Sequence, residues 1–175
     1  MGGKGRGLAF LDLISKRNEE FFDYDTTQIV IPKTVVICTD KFDEFMEQNN
    51  LYDIAYAEDL SDEEILNHFL EAKIPEDVWA DLRAFVNVIN TPIAVRSSSL
   101  LEDAHYQPFA GVYSTYMVPN NKDDVKSTLM KLGEAIKAVY ASVYYSGSRS
   151  YMSHDCWTHA YTDPALIEWM LEQHL

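Results

Sequence analysis

The clearest hydrophobic pattern lies in the second half of the chain. After Asn120 and Asn121, either of which can start a helix, six apolar residues recur at alternating spacings of four and three. Such spacings place all of them on one stripe of an α-helix. They are Val125, Leu129, Leu132, Ile136, Val139 and Val143. We expect the stripe to pack into the core of the protein; the alternative is contact with a partner helix.

Polar residues that favour helix starts precede three shorter apolar patterns. Thr39 or Asp40 is expected to cap a helix running through Met46, and residues 61–64 have the Ser-x-x-Glu spacing of a capping box. A third helix is expected at Pro75, because proline is tolerated in the first turn. The residues assigned to buried helix faces are Phe42 with Phe45 or Met46, then Ile65, Phe69 and Leu70, then Val78, Leu82, Phe85 and Val86.

Short runs rich in Val and Ile predict strands between these helices. Two such runs, residues 29–31 and 34–39, lie on either side of Pro32. A third strand is expected to end at Arg96, and a fourth to cover residues 110–118. Because helices and strands mix without a clean βαβ repetition or an internal repeat, the order predicts an α+β (mixed α/β) fold.

The composition favours a folded protein with one core, or one domain with a tail. The chain has 175 residues, of which 47% are hydrophobic and 13% aromatic, which is too apolar for a disordered segment. It contains no run of about 18 apolar residues that would span a membrane. It also lacks the pattern of a signal peptide at its start. We therefore expect no membrane partner.

The charge balance narrows the choice of partners further. With 28 acidic and 14 basic residues the net charge is -14, whereas binding to a phosphate backbone needs clustered Lys and Arg. No nucleic-acid partner is therefore expected. Cys38 and Cys156 suit neither a metal site nor a disulfide framework, which fits a reducing cytoplasm. His68 and His105 have no companions at ligand spacing, so no protein metal site is predicted.

The segment around Arg96 carries the first candidate chemistry. Arg96 ends an apolar run, three serines follow it, and a small-residue turn at residues 109–111 precedes the next β-type run. A guanidinium in that place can aim its planar donors at a phosphate, while hydroxyls and backbone N–H groups complete an anion cradle. The segment therefore predicts a nucleotide-phosphate site; the alternative is an ordinary solvated turn.

The glycine-rich start of the chain carries a second candidate. Residues 2–7 alternate glycine with Lys4 and Arg6 and precede a helix with Leu8, Leu11 and Ile14. Glycines let the backbone approach an anion, and a helix amino terminus offers unpaired N–H groups to it. The spacing matches neither a Walker loop nor a dinucleotide-binding fingerprint. A flexible start or a cloning remnant is the alternative.

Together these segments resemble the signature of the ATP-binding N-terminal domain shared by pyruvate phosphate dikinase, phosphoenolpyruvate synthase and rifampin phosphotransferase. That family carries GGKG before a leucine-bearing helix, then VRSS, ED a few residues later, FAG and a threonine, at the spacing found here. The resemblance covers about residues 2–152. It implies the N-terminal portion of an ATP-grasp-like nucleotide-binding domain, incomplete in this chain.

The resemblance also implies roles for eight residues. Two cations contact the nucleotide phosphates, two residues line the pocket, two serines shape the loop and two carboxylates hold it. The cations are Lys4 and Arg96, and the pocket residues are Gly111 and Thr115. The serines are Ser97 and Ser98, and the carboxylates are Glu102 and Asp103. The commoner family pattern has a serine where this chain has Pro108. Because proline lacks a backbone donor, the loop is expected to be held differently here.

Residues 153–175 change in character and resemble the carboxyl end of α/β-hydrolase esterases, with His154 in the place of the triad histidine. The chain has no G-x-S-x-G elbow to supply a nucleophile. A short terminal helix begun by Asp163 and Pro164 is therefore the preferred interpretation. His159 likewise lacks the glycine pair of the family's phosphohistidine motif.

Members of the resembled family close over ATP with a second subdomain and pass phosphate to a histidine on a separate domain. We expect this chain to be a partial ATP-binding domain with no catalytic residue of its own. The resemblance implies ATP with Mg²⁺ as its ligand, with weak or absent binding and no complete turnover in this chain. A separate chain or domain would supply the rest of the cleft and the phosphohistidine. The alternatives are a non-catalytic structural or interaction module, dimeric through the 125–143 stripe, and an esterase fragment.

Overall fold

The computed structural model describes residues 3–18, 23–24, 27–28, 30–98 and 114–145. The helices in this part of the chain are α1 (Gly3–Arg17), α2 (Thr39–Gln48), α3 (Tyr52–Ala55), α4 (Asp62–Glu71), α5 (Glu76–Val88) and α6 (Val125–Ser142), with a 3-10 turn over Lys122–Asp124. The strands are β1 (Asp23–Tyr24), β2 (Thr27–Gln28), β3 (Ile93–Arg96) and β4 (Thr115–Val118). They form two antiparallel pairs, β1 with β2 and β3 with β4. The fold is α+β, as the order of elements predicts.

Helix α6 is the centre of the described core. Helices α4 and α5 and both strands of the β3–β4 pair pack against it. Three residues of its predicted apolar stripe are buried and the other three are half-buried. The prediction that the stripe packs into the core is confirmed, so this surface is not free to meet a partner helix. Within the described part of the chain, the most deeply buried large side chains are Phe45, Phe69, Met46, Ile65 and Val86.

Helices α5 and α6 approach each other closely at a glycine. Gly133 is buried on α6, and a Cβ placed there would overlap the indole ring of Trp79 on α5. The glycine is therefore required by the close approach of the two helices, which outweighs the low helix propensity of this residue type.

The helices begin close to their predicted starts, and of the predicted caps the one at Ser61 is observed. Ser61 Oγ accepts the Glu64 N–H and the Glu64 carboxylate accepts the Ser61 N–H, so the capping box is confirmed. The prediction that Thr39 or Asp40 caps α2 is wrong: both lie within the helix, and the N-cap is Cys38, whose side chain forms no cap hydrogen bond. Asn121 caps the 3-10 turn rather than α6 itself, whose N-cap is Asp124.

Two predicted strands are wrong. Residues 30–38 have no regular secondary structure, so neither the 29–31 run nor the 34–39 run forms a described strand. Segments rich in Val and Ile form a strand only where a neighbouring strand is available to pair with them. Pro32 also lacks the backbone N–H that would donate a hydrogen bond to such a neighbour. Val30 and Val35 are exposed in this segment. The predicted 110–118 strand is observed as β4, and residues 110–113 lie outside the described residues.

The prediction that the glycine-rich segment precedes the first helix is also wrong. Helix α1 begins at Gly3, so the described glycines and Lys4 form its first turns. The first amides of a helix have no partner within the helix, and here a hydroxyl from a distant segment accepts one of them, the Gly5 N–H.

None of the described helices is long and apolar enough to cross a membrane.

Candidate functional site

Strand β3 places Arg96 on the solvent side of the β3–β4 pair. Successive side chains of a strand point to opposite faces. Ile93 is buried and Val95 half-buried, whereas Ala94 and Arg96 are exposed. Ile93 lies opposite Val118 of β4, which is also buried. The inner face of the pair thus meets the core, and the outer face carries the guanidinium.

Thr115 is the direct partner of Arg96 across the strand pair. Both residues are exposed, so both lie on the outer face. Side chains directly opposite each other in an antiparallel pair have Cβ atoms about 4.5–5.5 Å apart. The structure therefore brings together two residues that the sequence places far apart, and it presents a hydroxyl beside a guanidinium.

Helix α1 reaches the same place through Ser98. The Gly5 N–H donates to Ser98 Oγ over 2.9 Å, and Ser98 follows Arg96 by two residues. Gly5 lies in the first turn of α1, where backbone N–H groups need outside acceptors. Ser98 thus fills the part of an N-cap side chain, although it comes from a distant segment. The bond joins the two sequence segments in which a phosphate site was predicted.

The remaining predicted residues divide between described and undescribed parts of the chain. Lys4 lies next to Gly5 in the first turn of α1 and is half-buried, as are Ser97 and Ser98 after β3. Glu102, Asp103 and Gly111 lie outside the described residues, as do Pro108, His154 and the 153–175 tail.

The local charge at this end of the molecule differs from that of the whole chain. The chain carries a net charge of -14, whereas α1 contains Lys4, Arg6, Lys16 and Arg17 and a single acidic residue, Asp12. Lys16 is paired with Asp12 over 2.7 Å. The amino-terminal half of α1 therefore contains two basic residues, Lys4 and Arg6, and no acidic one. An anion approaching this helix terminus also meets the positive end of the helix dipole.

The sequence analysis missed Ser142, which is fully buried on α6. Its Oγ accepts the Ser114 N–H over 3.3 Å and donates to the Val139 carbonyl over 2.7 Å. Ser114 directly precedes Thr115, so this hydroxyl holds the residue just before the start of β4. The one sequence signal is a serine within the apolar stretch of α6, where a hydroxyl must find a partner.

A concave region is also present around residues 47–53. It has a volume of about 300 Å³ and is lined by Glu47, Asn50, Tyr52 and Asp53. None of the five described residues assigned by resemblance lines it. Among the described residues no group of three or more His, Cys, Asp or Glu side chains could hold a metal ion.

A comparison with protein families adds an independent finding. The family model for the pyruvate phosphate dikinase AMP/ATP-binding domain matches residues 1–173. The matched range includes the glycine-rich start, the segment around Arg96 and most of the tail. No curated protein and no solved structure shows a significant match to the chain.

Proposed function

The chain belongs to the family of the pyruvate phosphate dikinase AMP/ATP-binding domain, and we propose that the surface formed by α1, β3 and β4 binds the phosphates of an adenine nucleotide. The observation that carries the proposal is the hydrogen bond from Gly5 to Ser98. It holds the basic first turns of α1 beside the end of the strand that presents Arg96. Basic residues at the positive end of a helix dipole, beside an exposed guanidinium, are chemistry that suits a phosphate group.

Each side chain of the proposed site has a specific part. The Arg96 guanidinium is exposed and can form two parallel hydrogen bonds with one phosphate group. Lys4 adds a compact positive charge from the first turn of α1, and the Thr115 hydroxyl lies beside Arg96 on the same face. Ser97 and Ser98 shape the loop after β3. Glu102, Asp103 and Gly111 complete the site in the segment that joins β3 to β4.

The nucleotide enters as ATP carrying Mg²⁺, which neutralises charge on the phosphate oxygens. The described donors are guanidinium, ammonium, hydroxyl and amide groups, which fit phosphate oxygens rather than a metal ion.

We further propose that the domain is ATP-grasp-like and that the 175-residue chain alone binds nucleotide without completing phosphoryl transfer. Transfer requires positive charge and exact positioning around the whole γ-phosphate. Arg96 and Thr115 stand on an exposed face, so the described residues contact a nucleotide from one side. A separate chain or domain supplies the opposite side of the cleft and the phosphohistidine of a phosphoenolpyruvate-synthase-like reaction, in the cytoplasm.

Calorimetric titration with Mg-ATP tests the proposal. Arg96→Ala removes the guanidinium and is expected to weaken binding by about tenfold or more, the equivalent of one charge-assisted hydrogen-bonded contact. Arg83→Ala is the matched control, because Arg83 is an exposed arginine of α5. Binding that is tight and unchanged in Arg96→Ala, or no binding by the wild-type chain, would refute the proposal.

An interaction module is the second candidate, and helix α1 favours it. Phe10, Leu11 and Leu13 are 62%, 48% and 44% exposed, which is unusual for three large apolar residues on one helix. The stripe of α6 is buried in the core, so α1 is the surface through which such a module would associate. Sedimentation of the wild-type chain and of Phe10→Glu tests this candidate. An association that rises with concentration and is lost in the variant would support it.

A further inference from the structure

We propose that Ser142 is a positioning residue of the phosphate site, acting on nucleotide binding through the backbone of Ser114 and the hydroxyl of Thr115. The inference rests on the proposed nucleotide-binding function and extends it to a buried residue that contacts no ligand. It begins from a shared arrangement. Ser98 and Ser142 each accept the backbone N–H of the residue next to a proposed phosphate contact, Gly5 beside Lys4 and Ser114 beside Thr115.

The hydrogen bonding of Ser142 gives its hydroxyl a fixed direction. Its proton is directed to the Val139 carbonyl one turn earlier in α6, at 2.7 Å. A serine hydroxyl has one proton and two lone pairs, so an oxygen lone pair is left to accept the Ser114 N–H. The Ser142 side chain is fully buried, so the protein core holds this acceptor in place beside the half-buried Ser114.

Ser114, the residue that Ser142 holds, lies directly before the strand that positions Thr115. Ser114 immediately precedes β4, a strand of four residues whose first member, Thr115, pairs with Arg96. A strand this short has few ladder hydrogen bonds, so one additional bond at the residue directly before it has a large share in holding the register. A one-residue slip would move the Thr115 side chain to the opposite face of the pair.

Helix α6 holds the other end of the same segment in a comparable way. The buried Thr128 hydroxyl accepts the Asn121 N–H over 3.1 Å and donates to the Asn121 carbonyl over 3.3 Å. Thr128 therefore has the same burial and the same kind of backbone contact as Ser142. It acts three residues beyond the end of β4, at the end of the strand away from Thr115. This makes Thr128 a matched control for the loss of a buried hydroxyl.

The test compares four variants of the full chain by calorimetry with Mg-ATP: Ser142→Ala, Thr128→Ala, Thr115→Ala and the double variant Ser142→Ala/Thr115→Ala. Ser142→Ala is expected to weaken binding by about fivefold, the equivalent of one buried hydrogen bond, and Thr128→Ala by less than about twofold. If Ser142 acts through Thr115, the double variant binds no more weakly than Thr115→Ala alone, because coupled residues are not additive. A merely structural role would give additive losses.

Amide hydrogen exchange separates this inference from the function on which it rests. Ser142→Ala is expected to speed exchange at Ser114 and Thr115, whereas Thr128→Ala speeds it at Asn121. If exchange at Ser114 does not change, or if Ser142→Ala weakens Mg-ATP binding no more than Thr128→Ala does, the role of Ser142 is refuted while nucleotide binding stands. Absence of Mg-ATP binding by the wild-type chain overturns both.

A second variant covers the case in which Ser142→Ala does not fold. Ser142→Cys keeps a weak acceptor of similar size at the same position. It is expected to bind Mg-ATP with an affinity between those of the wild-type chain and Thr115→Ala. Wild-type affinity in Ser142→Cys together with fast exchange at Ser114 would overturn the inference.

Discussion

The amide of Gly5 donates a hydrogen bond to the hydroxyl of Ser98 over 2.9 Å, although 93 residues separate the two in the chain. The bond caps the first turn of α1 from outside the helix and fixes this helix beside the end of β3. One contact thus has two consequences: it satisfies a helix donor, and it brings Lys4 to the strand that carries Arg96.

Removal of the Ser98 hydroxyl should affect both consequences. Loss of a helix cap costs about 1 kcal/mol, so Ser98→Ala is expected to lower the free energy of unfolding by that amount. We expect Mg-ATP affinity to fall by about fivefold, because α1 is no longer held to β3. Denaturant unfolding and calorimetry measure the two effects.

Ser15→Ala is the control for this prediction. Ser15 lies near the end of α1, where its hydroxyl donates to the Asp12 carbonyl within the helix. The substitution is expected to leave Mg-ATP affinity unchanged. Equal losses of affinity in Ser15→Ala and Ser98→Ala would show that the contact across the two segments has no special part in the site.

Two glycines of the chain predict stability changes of opposite sign. A Cβ at Gly133 would overlap the indole of Trp79, whereas a Cβ at Gly7 meets no atom within 4 Å. Gly133→Ala is therefore expected to destabilise the protein by about 1–3 kcal/mol, the usual effect of overpacking. Gly7→Ala should stabilise it by about 0.5–1 kcal/mol, since alanine is the better helix former.

Urea unfolding followed by tryptophan fluorescence measures both glycine variants. The tryptophan emission of the folded Gly133→Ala protein should also differ from that of wild type, because the Trp79 ring has to move away from the new methyl group. A Gly133→Ala variant as stable as Gly7→Ala would show that α5 and α6 can separate without loss of packing.

The capping box predicts a pH dependence of stability. The Ser61 N–H and hydroxyl both donate to the Glu64 carboxylate and hold the pKa of Glu64 below its ordinary value of 4.5. A lowered pKa means that ionised Glu64 stabilises the folded protein above pH 4.5 and that this contribution is lost as the pH falls through the lowered pKa. The difference in free energy of unfolding between wild type and Glu64→Gln should be largest near neutral pH and narrow in acid.

Glu63→Gln removes the same charge from the same turn of α4 and serves as the reference for this titration. Its difference from wild type is expected to depend less on pH. If Glu63→Gln and Glu64→Gln give the same profile, the general charge of the helix start, and not the capping box, accounts for the effect.

The parts of the fold that follow from local patterns could be predicted from the sequence. The α6 stripe and the capping box at Ser61 depend on residues within a few turns of each other. Arg96 could be placed at the end of a strand because the alternation of four residues is also local. In each case the physical cause and its sequence signal lie in the same short segment.

Contacts between distant segments could not be predicted in the same way. The Val- and Ile-rich residues 30–38 form no strand, because strand formation requires a partner that the local sequence does not specify. The Gly5–Ser98 and Ser114–Ser142 hydrogen bonds have no sequence signature. Serine hydroxyls and backbone amides are common in every chain, so the sequence does not indicate which of them will pair. The resemblance to a family indicated the residues of the candidate site. Their arrangement depends on these two bonds, and only the structure shows it.

A lysine of α6 offers a last prediction, in which two opposing effects must be weighed. The Lys137 ammonium donates to the carbonyls of Leu70 and Ala72 at the end of α4, where helix carbonyls lack partners. Burial lowers the pKa of Lys137, so desolvation of the charge offsets part of this gain. In Lys137→Met two carbonyls would be left without their donor, so we expect the loss of hydrogen bonds to outweigh the relief of desolvation. The substitution should lower the free energy of unfolding by about 1 kcal/mol. Lys131→Met, at an exposed position of α6, should change stability by less than about 0.5 kcal/mol. Chemical denaturation of both variants decides the balance: a Lys137→Met protein more stable than wild type would mean that desolvation of the ammonium outweighs its hydrogen bonds.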